Sequence, residues 1–242
     1  MKISRFMLLT VAAFCFGLQG LGHAQATTSC PAGTYDMLDW MTLDNNLRPG
    51  LHMAGNANPL YTEMMSGKFY WTKGGKGYPW DIQLVDKNFI YLWITEYAWN
   101  SPNTYKKFTY NTNMPFAPRC AKVGSPGSTI KIPDTTYDLY TDCKHFTRHT
   151  LKKAINEVWG PYQVSLGGML PNNLQTLVVS YRYNCDSTYQ NCSDKEDFWV
   201  AKQYGLVQWI HYSLKNGAYK FQQKTVYNTL KSGGTTPYFQ CF

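Results

Sequence analysis

The stretch YGLVQWIHYSLKNGAYKFQQ, residues 204–223, gathers an indole, an imidazole, lysines and amides around an Asn-Gly pair. A flat ring covers the apolar C–H face of a sugar, and polar side chains fix its hydroxyls, so this mixture suits a carbohydrate site. Asn216-Gly217 is the strongest short-range signal for a two-residue type I′ hairpin turn. Lys215 then faces Ala218, and regular pairing predicts two faces. Leu206, Ile210, Tyr212 and Leu214 lie opposite Tyr227, Gln223, Phe221 and Tyr219, a core face. Val207, Trp209, His211 and Ser213 lie opposite Val226, Lys224, Gln222 and Lys220. The expected ligand-binding residues are Trp209, His211, Lys220, Gln222 and Lys224, whose ammonium groups suit a carboxylate or sulfate. Plain alternation on a solvated outer strand accounts for the same pattern.

A second aromatic platform comes from NFIYLWITEY, residues 88–97, which is apolar on both faces. Ile90, Leu92 and Ile94 fall on one side and Phe89, Tyr91 and Trp93 on the other, as in a central strand covered twice. The aliphatic side is expected in the core, with Tyr91 and Trp93 as further ligand-binding candidates.

Hydrolysis of a glycosidic bond usually needs two carboxyl groups about 5–10 Å apart. Asp81 and Glu96 are candidates, because a hairpin that sets Asp86 opposite Phe89 sets Asp81 opposite Ile94. A lyase instead needs a base, an acid and donors for the substrate carboxylate. His211, Tyr91 or Tyr219, Gln222 and Arg119 or Arg182 supply those types. No G-x-S-x-G serine motif occurs. The run Asp194, Lys195, Glu196, Asp197 reads as a solvated turn. His145 and His149 have metal-ligand spacing on a helix, but no Glu intervenes and Arg148 repels a cation, so no metal site is expected. No cofactor motif is present either.

The elements that must position these residues are mostly strands. Tyr, Trp and Phe abound in short runs separated by Gly, Asn, Asp and Pro. Strands are expected at 67–73, 81–86, 88–97, 104–110, 175–184 and in the opening hairpin. HTLKKAINEVWGP, residues 149–161, predicts a helix with Leu151, Ile155, Val158 and Trp159 on one face and Gly160-Pro161 as its stop. Residues 113–136, rich in proline, read as a long surface loop pinned by Cys120. The fold class expected is mostly β, an antiparallel β-sandwich or jelly roll with one accessory α-helix and disulfides.

The N-terminus has the pattern of a cleavable signal peptide over residues 1–26: Lys2 and Arg5, an apolar run too short to span a bilayer, then Ala24-Gln25-Ala26. A single domain over residues 27–242 would remain, 242 − 26 = 216 residues long, with charge (23 − 2) − 15 = +6. Export to a secreted or periplasmic location follows, with no transmembrane segment after cleavage. The basic balance favours an extracellular glycan or other anionic polymer as partner. Nucleic acid is excluded, since the lysines are scattered and no nucleic-acid motif occurs. Cys30, Cys120, Cys143, Cys185, Cys192 and Cys241 read as three disulfides. The expected pairs are Cys185–Cys192, Cys120–Cys143 and Cys30–Cys241.

The leading expectation is thus a secreted glycan-binding protein with an aromatic and basic sheet face. A polysaccharide-degrading lyase or glycoside hydrolase using that face is the alternative. A structural or interaction protein of the cell envelope is the third.

Overall fold

The computed structural model describes residues 30–43, 51–55, 60–65, 68–73, 78–97, 106–124, 127–140 and 144–232. The predicted signal peptide, Cys143 and Cys241 lie outside the described residues.

The chain is mostly antiparallel β, as composition implies. A short pair is formed by β1 (Tyr35–Asp36) and β8 (Cys120–Ala121). The main sheet begins with β2 (Leu51–Gly55), β3 (Leu60–Met65), β4 (Lys68–Lys73), β5 (Tyr78–Val85), β6 (Phe89–Tyr97) and β7 (Lys106–Pro118). It continues with β9 (Thr129–Ile132), β10 (Thr135–Tyr140), β11 (Phe146–Leu151), β12 (Ala154–Val164) and β13 (Leu174–Cys185). β14 (Cys192–Ala201), β15 (Gly205–Lys215) and β16 (Ala218–Ser232) complete it. Their order is β11-β10-β7-β6-β5-β4-β3-β2-β16-β15-β14-β13-β12-β9.

The two ends of this order come together in a sandwich-like arrangement. Phe116 of β7 is fully buried and meets the rings of Phe198 at 5.1 Å and Tyr181 at 6.5 Å, edge to face. Beside it, buried Asn156 of β12 donates from Nδ2 to the carbonyls of Pro115 at 3.1 Å and Phe116 at 2.9 Å. An amide side chain thus ties β12 to the stretch of β7 where its pairing with β6 shifts register. Ile90 and Leu92 are buried in this core, as their alternation predicts.

Several expectations are corrected. Residues 149–161 are not a helix: they belong to β11 and β12, because Val158, Ala154 and Ile155 pair along β9 and β13. Gly160-Pro161 is a β-bulge there, not a helix stop. The helix is α1 (Met37–Met41), capped by Asp36, whose carboxylate accepts from Leu38 N and both pairs and hydrogen-bonds with buried Arg119. The expected loop 113–136 contains the second half of β7, β8 and β9. Cys185–Cys192 forms as expected, whereas Cys30 bonds Cys120, which rules out Cys120–Cys143 and Cys30–Cys241. Pairing of β1 with β8 brings Cys30 and Cys120 together, at a Cα separation of 5.4 Å. In the β5–β6 hairpin a bulge moves Asp81 opposite Thr95 instead of Ile94, and Glu96 pairs with Lys107.

Candidate functional site

The Asn-Gly turn forms where predicted, with φ of 53° at Asn216 and 74° at Gly217. Pairing runs as expected from Lys215↔Ala218 to Tyr212↔Phe221. A bulge at Gln222 then shifts the register, so His211 faces Gln223, Ile210 faces Lys224 and Trp209 faces Thr225. The face expected to hold five ligand-binding residues is therefore divided. Lys224 moves to the side opposite Trp209. Gln222 folds back and donates to the Lys220 carbonyl at 3.0 Å, and Lys220 stands exposed beside Ser213.

Trp209 and His211 stay together but on the inner face, because register aligns them with Phe198 and Glu196 of β14 and, through those, with Val179 and Tyr181 of β13. Trp209 packs against the core, and its Nε1 donates to Glu196 at 2.9 Å. The Tyr183 hydroxyl donates to the other oxygen of Glu196 at 3.1 Å. His211 lies parallel to the indole at 6.2 Å, with Nε2 3.4 Å from Asp194. Ser213 and Ser193 donate to the same carboxylate at 3.0 and 2.6 Å.

Glu196 and Asp194 titrate in opposite directions. Removal from water pushes the Glu196 carboxyl above its usual range, despite the indole and phenol donors. Burial also acts on Asp194, but hydrogen bonds from Ser193 and Ser213 and the nearby His211 ring outweigh it and hold that carboxyl below the usual range. Of the other candidates, Tyr91 donates to Asp86 at 3.0 Å within its own hairpin, and Tyr219 donates to the Cys192 carbonyl at 3.0 Å. The side chains of Trp93, Asp81 and Glu96 lie outside the described residues. His149 stacks on Tyr137 at 5.4 Å, and four residues of extended chain separate it from His145 by roughly 13 Å.

The outer face of β12–β14 holds a pocket that the sequence reading missed. Trp159, Tyr162, Val178, Ser180, Lys195, Asp197 and Trp199 line a volume of about 280 Å³. Register explains the grouping: Trp159, Val178 and Trp199 are direct cross-strand neighbours, as are Ser180 and Asp197. The Trp-Gly-Pro-Tyr bulge adds one residue, so Tyr162 returns to the same side as Trp159. Gly160 makes this possible at φ 121°, where a Cβ would lie 3.0 Å from the Thr176 carbonyl oxygen. Tyr162 and Trp199 stand with ring centroids 5.6 Å apart over the buried Val178 and Ser180.

The pocket's polar atoms are incompletely paired. Asp197 is only 6% exposed, with one carboxylate oxygen 3.0 Å from Lys195 Nζ and the other, Oδ1, without a hydrogen-bond partner. Trp199 Nε1 is buried and has no partner either. A buried donor or acceptor left unpaired costs about 1–3 kcal/mol, and both atoms lie beneath the pocket surface, closed to solvent. The site thus offers three aromatic rings and a Lys–Asp pair to a small polar molecule with apolar faces. Asp194–Asp197, expected as a turn, is strand β14 at the centre of both clusters; its alternation before Phe198 and Trp199 was the available signal. Compared with known families, curated proteins and solved structures, the chain matches none.

Proposed function

We propose that this is an exported carbohydrate-binding protein that takes a sugar ring into the outer pocket of β12–β14. The observation that carries this reading is the open pocket that sets Trp159, Tyr162 and Trp199 beside the Lys195–Asp197 ion pair. A pyranose presents both halves of the complement. Its C–H face covers an indole, and its hydroxyls meet the Lys195–Asp197 pair at the pocket wall. The site lies on the face of the sheet opposite Trp209 and His211, the residues expected to carry it. Disulfides are compatible with an oxidising compartment, where extracellular glycans occur.

Opposed titration of Glu196 and Asp194 favours a second reading, cleavage of a polysaccharide by an acid and a base. Binding without turnover is the stronger of the two, because both carboxylates already accept hydrogen bonds from neighbouring side chains.

Affinity gel electrophoresis against neutral and acidic polysaccharides tests the proposal. One polymer should retard the oxidised protein, and Tyr162→Ala or Trp199→Phe should abolish the retardation while leaving circular dichroism unchanged. Trp209→Ala should instead destabilise the fold, since that indole is packed against the core. Retardation by every anionic polymer, lost on adding salt, would reduce the effect to net charge. No retardation by any polymer would overturn the reading.

A further inference from the structure

The outer face does not end at the pocket. Following the registers across the sheet, one row runs Trp159, Val178, Trp199, Gln208 and Val226. The next runs Glu157, Ser180, Asp197, Ile210 and Lys224. The third carries Arg182, Lys195, Tyr212 and Phe221. The Gln222 bulge decides the second row, because it is what turns Lys224 onto this face.

Charge along these rows is uneven. Toward β12 the charges are paired: Arg182 with Glu157 at 3.1 Å and Lys195 with Asp197 at 3.0 Å. Toward β16, Lys224 is exposed and makes no ion pair among the described residues. No Asp or Glu occurs anywhere from residue 198 to residue 242, a stretch that contains five lysines. Beside Lys224, Phe221 is 60% exposed, an unusual state for a large apolar ring, with Tyr212 edge-on to it at 6.5 Å. Lys195 sits over the Tyr212 ring at 4.8 Å and links the pocket to this pair.

We infer that the ligand is an acidic chain of several sugars, lying across the strands from the Trp159–Trp199 pocket on β12–β14 to Lys224 and Phe221 on β16. The inference rests on the carbohydrate reading of the pocket and adds length, direction and charge to it. The four strand gaps from β12 to β16 span about 19 Å, more than one sugar ring can cover. One ring of the chain occupies the charge-balanced pocket end. A ring further along stacks on Phe221, and its carboxylate or sulfate meets the Lys224 ammonium.

Calorimetric titration with two ladders tests this: uronate oligomers from pectate and alginate, and neutral oligomers from cellulose, each from monosaccharide to hexasaccharide. Affinity for a uronate ladder should rise with length and then level off. Phe221→Ala should remove the gain from the added sugars, about two- to tenfold, and leave the shortest ligands unaffected. Lys224→Gln should weaken the uronate oligomers alone, about two- to fivefold, and reduce their salt dependence. Both positions are exposed, so folding is retained. Equal affinity at every length with Phe221→Ala silent would leave a single-ring pocket and overturn the chain. Equal binding of both ladders with Lys224→Gln silent would overturn the acidic ligand. Binding of neither ladder would overturn this inference, and the gel panel with Tyr162→Ala reports separately whether the pocket reading survives.

Discussion

Asp197 and Glu196 are adjacent in sequence and face opposite sides of β14, one in the outer pocket and one in the inner cluster. Glu196 shows how much environment decides. Desolvation raises its folded value above the ordinary 4.5, so the folded state holds this proton more tightly than the unfolded chain does. Its stabilising contribution is therefore complete below 4.5 and lost as pH rises through the raised folded value. Thermal unfolding across pH should show wild type losing stability relative to Glu196→Gln as pH rises above 4.5. Parallel curves would mean the carboxyl titrates normally. Asp194 acts in the other direction: its contribution is present above the ordinary 3.8 and is lost as pH falls through its lowered folded value.

At the scale of elements, the bulges do the positioning. Gly160-Pro161 returns Tyr162 to the side of Trp159, and the extra residue at Gln222 turns Lys224 away from Trp209. Each bulge re-aims every side chain beyond it, because a strand alternates with a period of two. Asn156 performs a different task, joining β12 to the bulged stretch of β7 through two carbonyls. Asn156→Ala should cost roughly 2–4 kcal/mol, since one buried and one part-buried carbonyl lose their donor. Urea unfolding measures it; a loss under about 0.5 kcal/mol would show that those carbonyls find another partner.

For the whole molecule, the two described disulfides differ in what they restrain. Cys30–Cys120 spans 90 positions and ties the segment before α1 to β8, whereas Cys185–Cys192 spans 7 and closes one loop. In the chain-entropy account, the first removes about 4.6 kcal/mol of unfolded-state freedom and the second about 2.4 kcal/mol. Replacing Cys30 and Cys120 with Ser should lower the midpoint of thermal unfolding more than replacing Cys185 and Cys192. The reverse order would place the main restraint in the short loop, whose Asp186 is held at about 2 by hydrogen bonds from Thr188 and Asn191.

Local chemistry determined much of this protein without reference to the fold. Aromatic and β-branched runs between turn residues made it a β protein. Asn216-Gly217 set a hairpin, because few other pairs accept positive φ at both positions. The seven-residue separation of Cys185 and Cys192 made their bond a local event. Tertiary structure decided the rest. Residues 149–161 carry a helical spacing of apolar groups, yet pairing with β13 and β9 outweighs that weak preference. The Asp-Lys-Glu-Asp run reads as solvated until strands on both sides supply its partners, after which alternation sends two acids inward and a Lys–Asp pair outward. Bulges have no strong sequence signature, and each one inverts the facing of the residues beyond it. The side of the sheet on which Trp159, Trp199 and Lys224 meet solvent therefore depends on long-range register, which no local pattern contains.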